Sequence, residues 1–290
     1  MTMQTHETIA GLRRGLLAAR RAGRRIALVP TMGALHAGHR SLIDAARRDC
    51  DVVVVSLFVN PTQFGPTEDL ERYPRTPEAD LKLCVDAGVD LVFMPAVGKM
   101  YRQPPGTQVS VPSLANRLCG LSRPGHFAGV CLVVAKLFNI VGPDVAYFGA
   151  KDYQQAAIVR RMAADLDMPI QIVTCPIVRE ADGLAMSSRN AHLSAEHRRQ
   201  ASALYESLQR AREVIVTGRA NAGGGPSAGA VVQAVREHLS QRAPDGRLDY
   251  IHVVDPDTLE DLERTDRPAL VALAVKFGQT RLIDNILIER

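Results

Sequence analysis

Short, continuous apolar runs alternate with stretches of helical spacing through the first two-thirds of the chain. The continuous runs, most clearly DVVVVSLFVNP, are typical of strands buried on both faces. They predict strands that begin near residue 27 and cover residues 51–61, 89–95, 144–148 and 169–178. Apolar positions three and four residues apart predict helices over residues 5–22, 36–48, 77–87, 126–142 and 153–166. This alternation implies parallel β-α-β units, so the predicted fold class is α/β, a Rossmann-like parallel sheet with helices on both faces.

The pattern changes after Arg189. It predicts a long amphipathic helix over residues 194–218, a glycine-rich loop over 219–230 and a second helix over 228–242, followed by strands at 248–254, 269–276 and 283–288. These elements predict a smaller α+β C-terminal lid domain. The polar turn at residues 180–183 divides the chain into domains 1–182 and 183–290. Residues 97–124 show a mixed pattern that fits either a loop or short strands.

Residues 27–43, ALVPTMGALHAGHRSLI, join a predicted buried strand, a tight turn and the start of a helix. Unpaired backbone N–H groups and the positive end of the helix dipole collect at such a junction and favour a bound phosphate. Gly33 and Gly38 let the backbone approach a ligand closely. His36 and His39 are three residues apart, so we expect both rings on one face of the first helical turn. The arrangement suits phosphoryl or nucleotidyl chemistry.

Two histidines at this spacing also fit half of a zinc site or an ordinary helix surface. No cysteine lies within the next ten residues and no HExxH pattern follows, which disfavours the metal. The turn matches neither GxxxxGK[ST] nor GxGxxG. The loops that contain His36, Gln63, Lys151 and Arg179 all leave the carboxyl ends of predicted strands. Ligands bind at those ends in α/β sheets, so we expect the four loops to meet at one cleft.

Composition narrows the class of protein. A chain of 290 residues with 46% apolar and 23% charged residues suits two modest domains and not extended disorder. The net charge of +4 is dispersed, which fits a small anionic substrate and lacks the basic stripe of a nucleic-acid binder. Five widely spaced cysteines without a CxxC pair argue against disulfides or a zinc ribbon. Because no apolar run fits a signal peptide or a membrane span, we expect a cytoplasmic protein without membrane partners.

A second motif, ADGLAMSSRNAHLS, joins the two predicted domains at residues 181–194. Its hydroxyls and guanidinium can close over a triphosphate as charge builds on the leaving pyrophosphate, although a serine-rich helix cap is the alternative. An early HxGH turn and a later MSSR loop resemble the paired HIGH and KMSKS signatures of nucleotidyltransferase-like enzymes that form adenylates. The blocks VPTMGALHAGHRSLI, SLFVNPTQFGPTEDLERYPRT, RPGHFAGVCLVVAKLFNIVGPDVAYFGAKDYQQ and VREADGLAMSSRNAHLS resemble, in order and spacing, the pantothenate synthetase (pantoate–β-alanine ligase) family.

The resemblance implies an ATP-dependent ligase that joins pantoate to β-alanine through pantoyl adenylate and releases AMP and pyrophosphate. It also implies Mg²⁺, a homodimer, and a first domain that binds the nucleotide and pantoate. His39 would donate a proton, beside His36 and with Lys151 as a third catalytic residue. The residues implied to contact ATP are Met32, Gly33, Ala34, Leu35, His36, Ala37, Gly38, His39, Gly149, Ala150, Lys151, Asp152, Val178, Met186, Ser187, Ser188 and Arg189.

The same resemblance implies that Gln63 and Gln155 bind pantoate, and that Gln63 also binds β-alanine. Each amide offers a donor and an acceptor, which suits a hydroxy acid. Further candidates for the acid pocket are Asn60, Tyr73 and Arg123, and Asp80 is a candidate to assist Mg²⁺. Ordinary surface or structural roles are the alternative for each of these side chains.

Two positions depart from the family's pattern. Ala150 stands where a glutamate is common, and Cys119 stands where an acidic residue is common. The first change weakens ATP binding if that glutamate orients Lys151. The second removes an acidic partner that could form a salt bridge with Arg123, so we expect this arginine to be freer than in relatives. A catalytically silent nucleotide-binding relative therefore stays an alternative. Another HxGH nucleotidyltransferase with a phosphorylated acceptor is disfavoured, because glutamines stand where arginine or lysine would be expected.

Overall fold

The computed structural model describes residues 3–66, 68–101, 106–222 and 224–289. Six parallel strands form the larger sheet: β1 (Gln4–His6), β2 (Ile26–Thr31), β3 (Val52–Leu57), β4 (Leu91–Phe93), β5 (Val145–Gly149) and β6 (Gln171–Cys175). The helices along this part of the chain are α1 (Ile9–Arg21), α2 (Ala37–Asp49), α3 (Pro77–Asp86), α4 (Val97–Met100), α5 (Pro112–Ala115), α6 (Cys119–Ser122), α7 (His126–Val141) and α8 (Tyr153–Asp165). The flanked parallel sheet confirms the predicted α/β fold class.

The strand order is β1-β4-β3-β2-β5-β6, so the direction in which the chain crosses the sheet reverses at β2. From β2 the chain proceeds through β3 to β4 on one side, whereas β5 and β6 lie on the other side. In an open parallel sheet, the crevice at such a reversal opens beyond the carboxyl ends of the strands and is the usual ligand site. The turn after β2 and the end of β5 border this crevice.

A second sheet contains the antiparallel strands β7 (Gly246–Val254), β8 (Ala269–Phe277) and β9 (Thr280–Ile288), in that order. It is preceded by α9 (Ala195–Ala201), α10 (Ala203–Ala222) and α11 (Ala228–Arg242). Alternate residues of β8, including Val271 and Leu273, pack with apolar residues of α10 and α11 in one core. This arrangement confirms the predicted smaller α+β part of the chain.

The chain divides into two compact units. The first unit comprises Met1–Ala115, Arg123–Ala150 and Gln155–Pro176, and the second comprises Asn116–Ser122, Lys151–Gln154 and Ile177–Arg290. Two short internal segments that the sequence assigned to residues 1–182, together with residues 177–182, therefore fold with the second unit. The functional division at residues 182 and 183 stays a prediction.

Some elements differ from the predicted ones. The three-residue strand β1 was not predicted, because its residues are polar and it lies at the edge of the sheet beside β4. The predicted helix at residues 194–218 is two helices that meet at Ser202, and α10 extends into the predicted loop. Residues 97–101 and 106–124 contain short helices and no strand. These predictions also cover residues 102–105 and 223, which lie outside the described residues. Among the described residues, the helices include none with the length and apolar character needed to cross a membrane.

Candidate active site

His36 and His39 lie at the beginning of α2, directly after the turn that follows β2. The Nδ1 atom of His36 accepts the Gly38 N–H at 3.1 Å, and Nδ1 of His39 accepts the His36 N–H at 3.3 Å. These reciprocal bonds cap the helix, and they hold the two ring centroids 4.1 Å apart. Because both Nδ1 atoms accept, each ring carries its proton on Nε2 when neutral. The first turn of α2 therefore presents two imidazole N–H donors.

The turn before α2 has consecutive left-handed residues, Gly33 with φ 84° and Ala34 with φ 49°. The N–H groups of Ala34 and Leu35 donate to the Asp80 carboxylate at 2.9 and 2.7 Å, and the Gly33 N–H donates to the Thr31 hydroxyl at 3.2 Å. The N–H groups of Gly33, Ala34 and Leu35 are therefore used within the chain, and phosphate binding at this junction stays a prediction. An anion at this position would depend on the α2 dipole and on side chains.

Asp80 is 3% exposed and lies in the first turn of α3. Its Oδ1 also accepts the Thr76 hydroxyl at 3.1 Å, so both carboxylate oxygens have partners within the chain. This anchoring role differs from the Mg²⁺ role implied by the resemblance. Within the described ranges, no group of three or more His, Cys, Asp and Glu residues is placed to hold a metal ion.

Replacing Asp80 by asparagine is expected to lower the free energy of unfolding by about 2 kcal/mol, because the amide turns an NH₂ group toward a backbone donor. The displaced turn should also raise the KM for ATP. Chemical denaturation and initial-rate kinetics measure the two effects. Glu78→Gln, on the same helical turn but exposed, is the matched control. Equal behaviour of the two variants would contradict the anchoring role of Asp80.

Gln63 ends a short 3₁₀ turn, Pro61–Gln63, after β3. Its side chain is 7% exposed, accepts the Asn60 amide N–H at 3.0 Å and donates to the Met32 sulfur at 3.0 Å. Asn60 is itself held, because its Oδ1 accepts the Tyr101 hydroxyl at 2.8 Å and its Nδ2 donates to the Gly129 carbonyl at 3.1 Å. The network fixes the Gln63 amide beside the turn that leads to the histidines.

Arg123 and His126 hold the backbone of the same turn. His126 Nδ1 lies 2.7 Å from the Gln63 carbonyl oxygen, which can only accept, so Nδ1 carries the proton. The other ring nitrogen, Nε2, lies 3.0 Å from an Arg123 guanidinium nitrogen and accepts from it. Arg123 also forms a two-pronged ion pair with Glu68, at 2.6 and 2.7 Å. The expectation that Arg123 is freer than in relatives is therefore wrong.

Burial by itself raises the pKa of Glu68, but the hydrogen bonds and charge of Arg123 more than reverse this effect, so the pKa lies below its ordinary value of 4.5. A lowered folded-state pKa contributes stability above pH 4.5, and this contribution is lost as the pH falls through the folded-state value. We expect Glu68→Gln to be less stable than the wild type at neutral pH, with the difference shrinking in acid. Urea unfolding at a series of pH values measures it, and a pH-independent difference would contradict the assignment.

The remaining candidates in the first unit occupy different positions. Tyr73 is buried, with its ring edge-on to Phe64 at 6.0 Å, so it packs in the loop that contains Glu68. Gly149 is the last residue of β5, and Gln155 lies half-buried in the first turn of α8. Since β5 is adjacent to β2, Gly149 lies at the end of the strand next to the one that leads to the histidine turn, and Gln155 lies in the helix that follows β5.

The second unit contains the other candidates. Lys151 and Asp152 belong to a 3₁₀ turn, Ala150–Asp152, and the Lys151 ammonium lies 3.9 Å from the Asp152 carboxylate.

The Met186 N–H donates to the Val178 carbonyl at 3.0 Å, which closes a hairpin over residues 178–186. In the loop that follows, the Ser187 hydroxyl accepts the Arg189 N–H at 3.3 Å and caps the turn Ser188–His192. The meeting of all four loops at one cleft stays a prediction.

Cys119 lies in the second unit beside Arg281, whose guanidinium nitrogens are 3.5 and 3.6 Å from the sulfur. The Tyr250 hydroxyl is 3.2 Å from the same sulfur, and Arg281 also pairs with Asp249 at 2.7 Å. The buried thiol is thus one member of a polar cluster whose other members are half-buried. No local pattern in the sequence indicates this cluster, because Cys119 is more than 100 residues from the other members.

Comparison with known proteins identifies the family. The profile of the pantoate-beta-alanine ligase family matches residues 4–287. The pantothenate synthetase of Moorella thermoacetica is 53% identical over 287 residues, which is 99% of each chain. The chain belongs to the pantoate–β-alanine ligase family. Another member, the pantothenate synthetase of Acetivibrio thermocellus, is 50% identical over 99% of this chain and 100% of the relative.

Two solved structures of pantoate–β-alanine ligases share the fold. The pantothenate synthetase of Thermus thermophilus has a TM-score of 0.90 and 46% identity, and the alignment covers 98% of this chain and 99% of that one. The pantoate–β-alanine ligase of Francisella tularensis, complexed with beta-gamma ATP and beta-alanine, has a TM-score of 0.78 and 32% identity, with 99% and 98% covered. These findings confirm the predicted family and make the chain a ligase.

Proposed function

We propose that this ligase condenses pantoate with β-alanine to pantothenate and cleaves ATP to AMP and pyrophosphate. A pantoate carboxylate oxygen attacks the α-phosphorus and pyrophosphate leaves. The β-alanine amine then attacks the acyl carbon of pantoyl adenylate, AMP leaves, and the nitrogen loses a proton. The observation that carries the proposal is the paired imidazoles at the N-terminus of α2, beside a fixed glutamine, where the strand order reverses.

The imidazoles of His39 and His36 act on the α-phosphate. Their Nε2–H groups supply donors that are already oriented by the cap, and the positive end of α2 adds to them. Negative charge grows on the phosphate oxygens as the carboxylate attacks, so oriented donors lower the barrier by about 3 kcal/mol each. The cap keeps the rings from reorganising during the reaction.

Gln63 and Gln155 bind pantoate, and Gln63 also binds β-alanine. The Gln63 amide is already ordered by Asn60 and Met32, so binding a hydroxy acid costs little additional side-chain entropy. Arg123 supports this residue through His126 and is neutralised by Glu68. We therefore assign Arg123 a positioning role for the acid pocket, because it holds the backbone of Gln63 through His126. Asn60 has the corresponding role for the Gln63 side chain.

The nucleotide is assigned to the segments that the family resemblance implies. Residues 32–39 and 149–152, with Val178 and Met186, contact ATP, while Lys151, Ser187, Ser188 and Arg189 meet its phosphates. A lysine ammonium is a point charge on a flexible stem and can follow the departing pyrophosphate. Mg²⁺ bound to the phosphates would neutralise part of their charge. Because alanine stands at position 150, no carboxylate there orients Lys151, whose ammonium lies 3.9 Å from the Asp152 carboxylate.

Incubation of the purified chain with ATP, Mg²⁺ and pantoate, with and without β-alanine, tests the function. Pyrophosphate released without β-alanine indicates adenylation, and AMP with pantothenate formed only after its addition completes the ligation. Release of pyrophosphate only with a phosphorylated acceptor would favour another nucleotidyltransferase. ATP binding without either product would leave the catalytically silent alternative.

We also propose that the enzyme is cytoplasmic and a homodimer, as the family resemblance implies. Sedimentation equilibrium tests the assembly, since a mass of twice 31.5 kDa is expected. A single mass of one chain across concentrations would contradict the dimer.

A further inference from the structure

Asp284 and Asn285 are consecutive residues of β9 that hold two separate segments of the second unit. The Asn285 amide donates to the Lys151 carbonyl oxygen at 2.9 Å. The Asp284 carboxylate accepts two bonds from the Arg179 guanidinium, at 2.6 and 3.0 Å. Both side chains are buried, with 2% and 6% of their surface exposed. One point on β9 therefore fixes the Lys151 turn and the start of the hairpin at residues 178–186.

Arg179 transmits this anchoring along the hairpin. Its guanidinium also donates to the Gly183 carbonyl at 3.0 Å and lies 4.1 Å from the centre of the Tyr205 ring. Across the hairpin, the Glu180 N–H donates to the Leu184 carbonyl at 2.8 Å. The hairpin is therefore held at its turn as well as at its base, and its last residue leads directly into residues 187–189.

Asn285 holds Lys151 through the main chain. A lysine side chain has a long flexible stem, so the region that its ammonium can reach is set by where its backbone is fixed. The Asn285 N–H also donates to Asp284 Oδ1 at 2.8 Å, which couples the two anchoring residues. On the other side of the turn, the Gln154 amide bonds the Cys119 N–H at 3.0 Å and the Arg117 carbonyl at 2.7 Å. The 3₁₀ turn is thus held at Lys151, and the start of α8 that follows it is held at Gln154.

We propose that Asp284 and Asn285 are positioning residues for ATP: they keep Lys151 and the loop at residues 187–189 in a constant arrangement, so that both meet the same triphosphate. This inference rests on the proposed function, which assigns those residues to the phosphates. A fixed backbone keeps these charges within reach of the pyrophosphate as it leaves, so that little reorganisation of the site is needed. The C-terminal sheet then contributes to catalysis without touching the substrate.

The test compares Asn285→Ala, Lys151→Ala and the double variant in pyrophosphate release at varied ATP and pantoate. We expect Asn285→Ala to raise the KM for ATP about tenfold, as the loss of one well-formed hydrogen bond allows, with the KM for pantoate within about twofold of wild type. In the Lys151→Ala background, Asn285→Ala should change the rate little, because no ammonium remains to be positioned. Gln200→Ala, which removes another buried amide of the second unit bonded to the Asp245 N–H, is the matched control.

Equal fold-effects of Asn285→Ala in the wild-type and Lys151→Ala backgrounds would overturn the inference. So would a Gln200→Ala variant with the same rise in the KM for ATP, since general loosening of the unit would then explain the result. Calorimetric measurement of ATP affinity distinguishes a failure of the positioning role from a failure of the proposed function. A wild type that binds ATP without releasing pyrophosphate refutes the function, while unchanged ATP affinity in Asn285→Ala still refutes the positioning role.

Discussion

His39→Ala is expected to slow pyrophosphate release by about 100- to 1,000-fold, the usual effect of removing one oriented donor from a site of charge development. The variant loses the Nε2–H donor of an imidazole whose Nδ1 is held by the helix cap. It also loses the acceptor for the His36 N–H, which should lower the free energy of unfolding by about 1 kcal/mol. Pre-steady-state measurement of pyrophosphate, together with urea unfolding, records both effects.

Two further variants separate the capping role of this ring from its donor role. Asparagine at position 39 places an acceptor oxygen near the position of Nδ1, so His39→Asn should restore stability and leave the reaction slow. Glutamine places an NH₂ group near Nε2, so His39→Gln should recover part of the rate while remaining less stable. If His39→Asn recovers the wild-type rate, the imidazole is only a cap and its catalytic assignment is wrong.

The strands and most helices could be predicted because their burial is reflected directly in the residue types. All six residues of β3 are buried, and all except Ser56 belong to the apolar run that the sequence shows. The end of α7 was equally clear, because Gly142 adopts a left-handed φ of 53° after the last helical turn. The break at Ser202 could not be predicted in the same way, since serine is tolerated within helices and the backbone of Ser202 itself keeps helical angles, φ −60° and ψ −25°.

The candidate site was predicted in its residue types and less well in its contacts. The histidine pair and Gln63 could be recognised from the motifs, which are local. Asp80 satisfies the turn before α2 from a position 45 residues away, and no local pattern indicates such a bond. The partner of Arg123 was missed for a similar reason, because Glu68 lies 55 residues from it in the chain. Side-chain pairing of this kind is set by the packing of loops on the sheet, which residue periodicity does not encode.

Gly129→Ala is expected to lower the free energy of unfolding by about 3 kcal/mol and to raise the KM for pantoate. A Cβ atom on Gly129 would lie 2.2 Å from the Thr62 carbonyl oxygen and 2.6 Å from the Gln63 nitrogen. These are backbone atoms of the turn that carries the Gln63 amide, so they cannot rotate away as a flexible side chain would. The Gly129 carbonyl also accepts the Asn60 amide, so displacing α7 weakens the network that orders Gln63.

Gly229→Ala is the matched control, because this residue also lies in a long helix and a Cβ there meets nothing within 4 Å. Alanine is the better helix former, so this variant should be as stable as the wild type or more stable by about 0.5 kcal/mol, with unchanged kinetics. Denaturant unfolding and initial rates at varied pantoate compare the two variants. A Gly129→Ala protein that keeps both its stability and its KM for pantoate would show that the turn can move without loss of stability. The close packing of α7 would then have no part in presenting Gln63 to the substrate.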